Sequence, residues 1–131
     1  MIARPIRLLS LLFALVAAAS LPACRSSNAY DVADAEAGGA TLVVRNDNFS
    51  DMDVYVLSSG LPSRIGTVTA NASQTFALRP SMFSGADDFR VVATPIGGNG
   101  RASSGRLQVS GGQTVYFTIG ARLAQSSATV R

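Results

Sequence analysis

From residue 41 onward the chain is a succession of short β-branched and aromatic runs, each closed by Gly, Pro, Asn, Asp or Ser. This punctuation constrains the fold more than any other feature. The runs are five to seven residues long. That is too short for ordinary helices, and several alternate apolar and polar residues with the two-residue period of a half-buried strand.

Seven such runs are expected to be strands: 41–46, 52–57, 64–69, 74–78, 89–94, 104–109 and 113–119. Asp47-Asn48 marks the first turn, and Gly66 is the expected site of a bulge in the third run. The last two runs read as the clearest hairpin, joined across Ser110-Gly111-Gly112. In it Leu107, Val109, Val115, Phe117 and Ile119 would share one face. The tail, 121–131, is left either to fray or to add an eighth edge strand.

Short strands at spacings near ten residues predict an all-β fold, a seven- to eight-stranded antiparallel sandwich of immunoglobulin-like or prealbumin-like kind. Its core would comprise Leu42, Val44, Met52, Val54, Val56, Ile65, Val68, Phe76, Leu78, Phe89, Val91, Leu107, Val109, Val115, Phe117 and Ile119. With a single cysteine in the chain no internal disulfide assists, so packing alone must hold the domain.

The segment before these runs has a different character. Arg4 and Arg7 precede an apolar stretch, 8–21, that closes on small residues before Cys24. Charged, apolar and small-residue regions in that order are those of an export signal. About fourteen apolar residues fall short of the roughly 20 needed for a permanent transmembrane helix. The leader is therefore expected to be a signal-peptide helix that is removed.

Leu21-Pro22-Ala23-Cys24 resembles the lipobox of bacterial lipoproteins, with an aliphatic residue three before the cysteine and a small one just before it. Pro22 departs from the usual small residue. The resemblance covers residues 1–24 and implies cleavage before Cys24, a diacylglyceryl (palmitate-type) thioether on that residue, and stable anchoring, since each buried CH₂ contributes about 0.8 kcal/mol. Arg25 rather than Asp after the cysteine points by the same analogy to the outer membrane. Ordinary secretion is the other reading, because Ala17-Ala18-Ala19 also fits a cleavage site and would leave Cys24 as a free thiol.

The expected organisation is thus a signal peptide over 1–23, a lipidated cysteine and flexible tether over 24–40, and a sandwich over 41–131. Segment 25–40 is small and polar, and cannot bury enough surface to order itself. As a coil of 16 residues it would span roughly 20–24 Å, from about 5–6 Å times the square root of its length.

Charge excludes one class of partner. All eleven basic residues are Arg. Without the two in the leader, nine face eight acids for a net +1, and they are scattered singly rather than gathered into the stripe that nucleic acid requires. Catalysis by a nucleophile and base lacks its common parts, since the chain has no His, no Lys and no cysteine left free after lipidation. No enzyme is therefore expected and no cofactor is implied, although the carboxylate pairs Asp51/Asp53 and Asp87/Asp88 retain the elements of acid–base chemistry.

Two candidate binding features remain. Tyr55 and Tyr116 lie opposite the expected core, as do Val43 and Val92, and form a candidate outward patch for a sugar ring or a partner. Asp47, Asp51 and Asp53 with Asn48 make an oxygen-rich turn, a weak candidate for Ca²⁺ whose spacing matches no full calcium loop; a solvated turn guarding a strand edge is the simpler account. The function expected is a non-enzymatic envelope lipoprotein, a protein-binding or accessory module at the membrane surface with an envelope protein as partner. The alternative is a small-ligand module for carbohydrate or Ca²⁺.

Overall fold

A computed structural model describes residues 37–131. The leader helix, the lipobox residues Leu21, Pro22, Ala23 and Cys24, and the tether up to residue 36 lie outside the described residues. Eight strands form two four-stranded sheets: β1 (Ala40–Asn46), β2 (Met52–Ser58), β3 (Leu61–Val68), β4 (Ser73–Leu78), β5 (Arg90–Pro95), β6 (Ala102–Ser103), β7 (Thr114–Ile119) and β8 (Ser127–Val130). One sheet runs β4-β1-β7-β8 and the other β3-β2-β5-β6.

Alternation fixes which side of each strand is buried. On β1, Ala40, Leu42, Val44 and Asn46 point inward while Thr41, Val43 and Arg45 point out. Met52, Val54 and Val56 do the same for β2, and Val115, Phe117 and Ile119 for β7. Phe76, Phe89 and Phe117 are the largest side chains between the sheets. Each fully buried apolar side chain is worth about 1.5–3 kcal/mol gross, offset largely by chain entropy.

The expected antiparallel pattern fails at one pair: β1 lies parallel to β7, with Val44 opposite Phe117. The expected hairpin of 104–109 with 113–119 does not form. Ser104 takes the place of a strand residue, its N–H donating to the Val91 carbonyl and its hydroxyl accepting the Val91 N–H. Gly105 then turns the chain at φ 74°. Only one bridge follows, Leu107 to Phe89, before Gly111-Gly112 carries the chain to the opposite sheet, where the Gly112 N–H donates to the Gly39 carbonyl. Leu107 and Val109 are accordingly half-buried against the core instead of inside it. The sixth strand is the two-residue β6, and the tail supplies the eighth strand, paired antiparallel to β7.

The expected bulge is present. The β2–β3 register shifts between Val54, opposite Gly66, and Tyr55, opposite Arg64, leaving Ile65 as the extra residue. Phe83, Ala93 and Ala102 join the core in addition to the expected residues.

The topology gives the sandwich two ends. β1 begins at the near end, together with the β2–β3 turn, the β4–β5 loop and the C-terminus. The far end gathers the loops β1–β2, β3–β4, β5–β6 and β7–β8.

Candidate functional site

Tyr55 and Tyr116 do not form one patch. Tyr116 stands on the outer face of the β4-β1-β7-β8 sheet, opposite Val43 in register, 43% exposed, with the Arg131 guanidinium 5.8 Å from its ring centre. Tyr55 is on the outer face of the other sheet, opposite Val92. There it borders a shallow groove of about 310 Å³, lined also by Leu57, Pro62, Val92, Thr94 and Arg101. Although it faces outward, Val92 keeps only 7% of its surface.

The three carboxylates of the Asp47–Asp53 turn each have a different partner. Asp47 accepts from the Arg45 guanidinium at 2.8 Å, and Asp51 accepts the Ala70 N–H at 2.9 Å. Asp53 accepts from Arg64 and from the Thr67 hydroxyl, both at 2.7 Å. The Arg64 hydrogen bond, aided by Thr67, holds the Asp53 carboxyl below its ordinary range against the opposing effect of burial, and raises Arg64 in turn. Asp88 is lowered as well, by the Arg90 guanidinium at 2.6 Å and by Arg106. Among the described residues no group of three or more His, Cys, Asp or Glu is placed to hold a metal ion.

What organises this turn is Asn46, a fully buried polar side chain. Its amide nitrogen donates to the carbonyls of Ser50, Val68 and Thr69, and its oxygen accepts the Asn48 N–H. Asn48 extends the network: its amide donates to the Ala121 carbonyl at 2.8 Å and its oxygen accepts the Ser50 N–H. Backbone bonds complete it, from Asn71 to the Asn48 carbonyl, Asp47 to the Ile119 carbonyl and Ile96 to the Asp51 carbonyl. All four far-end loops are thereby tied together, so the polar atoms of two asparagines, satisfied by backbone, fix the loop conformation.

At the tip of this braced loop stands Phe49, 83% exposed, with Ile96 on the adjoining loop 56% exposed. Sequence patterning passed over both. The one available signal was a phenylalanine isolated among Asn, Asp and Ser, where no strand face would bury it.

The described residues define an all-β sandwich of two four-stranded sheets. No family model matches the chain, and no curated protein matches it. Among solved structures it is similar to an NMR structure of a protein from Eubacterium rectale, with 14% identity, a TM-score of 0.44, and coverage of 74% of this chain and 91% of that one. It is also similar to a crystal structure of a Gram-negative toxin, with 15% identity, a TM-score of 0.34 and 77% of this chain covered; the match spans only 23% of the toxin. Neither likeness is strong enough to carry a functional argument.

Proposed function

We propose that the chain is an exported, lipid-anchored envelope lipoprotein whose sandwich is a non-enzymatic protein-binding or accessory module. The observation that carries this reading is the sole cysteine of the chain, placed at the end of an apolar leader in Leu21-Pro22-Ala23-Cys24. The start of β1 at Ala40 supports it, because it leaves a polar segment of tether length between anchor and domain. Of the two expected kinds of sandwich, the prealbumin-like one fits better: in constant-type immunoglobulin domains the first two strands are neighbours in one sheet, whereas here β1 and β2 lie in opposite sheets.

Cell fractionation with mass analysis of the mature protein tests the anchor. The wild type should sediment with membranes and begin at an acylated Cys24, and the Cys24→Ser variant should leave the membrane fraction. Equal retention of both would indicate an uncleaved signal anchor, and a free thiol at residue 24 would indicate plain secretion.

The groove beside Tyr55 favours a second reading, carbohydrate binding, with a sugar ring stacked on Tyr55 and Arg101 donating to its hydroxyls. Added glycan should then raise the melting temperature and alter tyrosine fluorescence. No change across a glycan panel would remove this reading.

A further inference from the structure

We infer that the groove beside Tyr55 takes an acidic sugar, a uronic acid unit of a glycan, with its carboxylate on Arg101 and its ring on Tyr55. The inference rests on the carbohydrate reading of that groove and adds the charge of the ligand.

Alternation builds the groove from two unlike ends. Val54 and Val56 point inward, so Tyr55 and Leu57 face out, and Pro62 on β3 stands opposite Leu57. Ser59 and Gly60, between β2 and β3, have φ of 52° and 81°, the positive values that both central residues of a type I′ hairpin require, and proline fixes its own φ. This end is apolar and held in one shape. On β6 the buried Ala102 pairs with Ala93, which sends Arg101 outward to line the groove with Thr94. The other end is therefore polar, and little ordering is left for a ligand to impose on the apolar one.

The charge at the polar end is uncompensated. Arg64, opposite Tyr55 in register, is held by Asp53 and Thr67, and Arg90, opposite Leu57, is held by Asp88. Arg101 has no ion pair or hydrogen bond among the described residues, and no Asp or Glu lines the groove. A single guanidinium matches a carboxylate with two parallel hydrogen bonds, whereas phosphate recognition gathers several arginines. The anion chosen is thus a carboxylate.

Shallowness chooses the rest of the molecule. A groove of about 310 Å³ open along one side covers one face of its occupant and leaves the other in water. An aromatic or aliphatic acid would keep much of its apolar surface wet and gain little. A pyranose presents C–H groups to an aromatic face such as Tyr55 while its outward hydroxyls stay hydrated. Ring and carboxylate together make a uronate.

The protein purified from the cells that make it is titrated by calorimetry with galacturonate, glucuronate and mannuronate oligosaccharides and with the carboxyl-reduced form of each. At least one uronate should bind about tenfold or more tighter than its reduced form, an advantage that shrinks from about 0.05 to about 0.5 M salt. Arg101→Gln should erase the advantage at an unchanged melting temperature, and Arg101→Lys should keep part of it. Arg131→Gln, on the opposite sheet beside Tyr116, should keep all of it, and Tyr55→Leu should weaken the acidic and reduced sugars alike. Equal binding of acidic and reduced sugars, or an advantage indifferent to Arg101→Gln, overturns the inference and leaves the carbohydrate reading standing. Binding of no sugar overturns both, as does binding of benzoate or octanoate in place of the uronates, which gives the groove to an apolar acid.

Discussion

The Phe76 ring on β4 lies so close over Gly66 on β3 that a β-carbon at position 66 would sit 2.6 Å from one ring carbon and 3.2 Å from the next. These two edge strands belong to different sheets, and the contact closes one side of the sandwich. Gly66→Ala should therefore cost about 1–3 kcal/mol through overpacking. Phe76→Leu in the same chain should recover part of that loss, so the double variant is more stable than the sum of the single effects. Denaturant midpoints for the three variants decide it, and strict additivity would mean that the ring does not occupy this space.

Asn46 is predicted to matter more than its place at the end of a strand suggests. Asn46→Ala removes a hydrogen bond from the Ser50 and Val68 carbonyls and from the Asn48 N–H, while the Thr69 carbonyl keeps the Ala72 N–H, and the variant should lose about 1–3 kcal/mol in all. Asn46→Asp keeps the shape but turns a carboxylate toward those carbonyls, which raises its folded pKa above the unfolded value of about 3.9. Relative to wild type at each pH, the Asp variant should be near normal in acid and lose stability as the pH rises through that raised value. A deficit that does not change between pH 4 and pH 7 would refute this account.

Acid should destabilise the wild type. Asp53 and Asp88 are both held below their ordinary range by arginine hydrogen bonds. A depressed carboxylate contributes stability above its unfolded pKa and loses it as the pH falls through the folded one. Melting temperature should therefore hold steady near neutrality, with no histidine in the chain to titrate there, and drop below about pH 4. Asp53→Asn should cost on the order of 0.2–1 kcal/mol at pH 7, with the difference from wild type vanishing in strong acid.

Period-two alternation made most strands legible, because Leu42 and Val44, Met52, Val54 and Val56, or Val115, Phe117 and Ile119 can share a face only in extended chain. It misassigned 104–109 because Leu107 and Val109 alternate like a strand while the backbone polar groups are partnered otherwise, Val91 with Ser104 and Phe89 with Leu107. Sheet membership was not legible either: alternation reports which face is buried and is silent on the neighbour, so nothing in it separates Tyr55 from Tyr116. The far-end brace escaped because Asn46 and Asn48 read as turn formers, and only the folded chain brings the carbonyls of residues 68, 69 and 121 within reach of their amides.

The parallel pairing of β1 with β7 joins residues such as Val44 and Phe117, seventy-three positions apart. A contact so remote in sequence forms slowly, since the loop it closes must be ordered before the pairing repays it. A nascent chain that ends before Thr114 has already made β1 yet leaves one side of it bare, with its N–H and C=O groups open to any other strand it meets. The first strand to be synthesised is thus among the last to be completed, and a truncated chain is more liable to aggregate than to fold into a smaller domain.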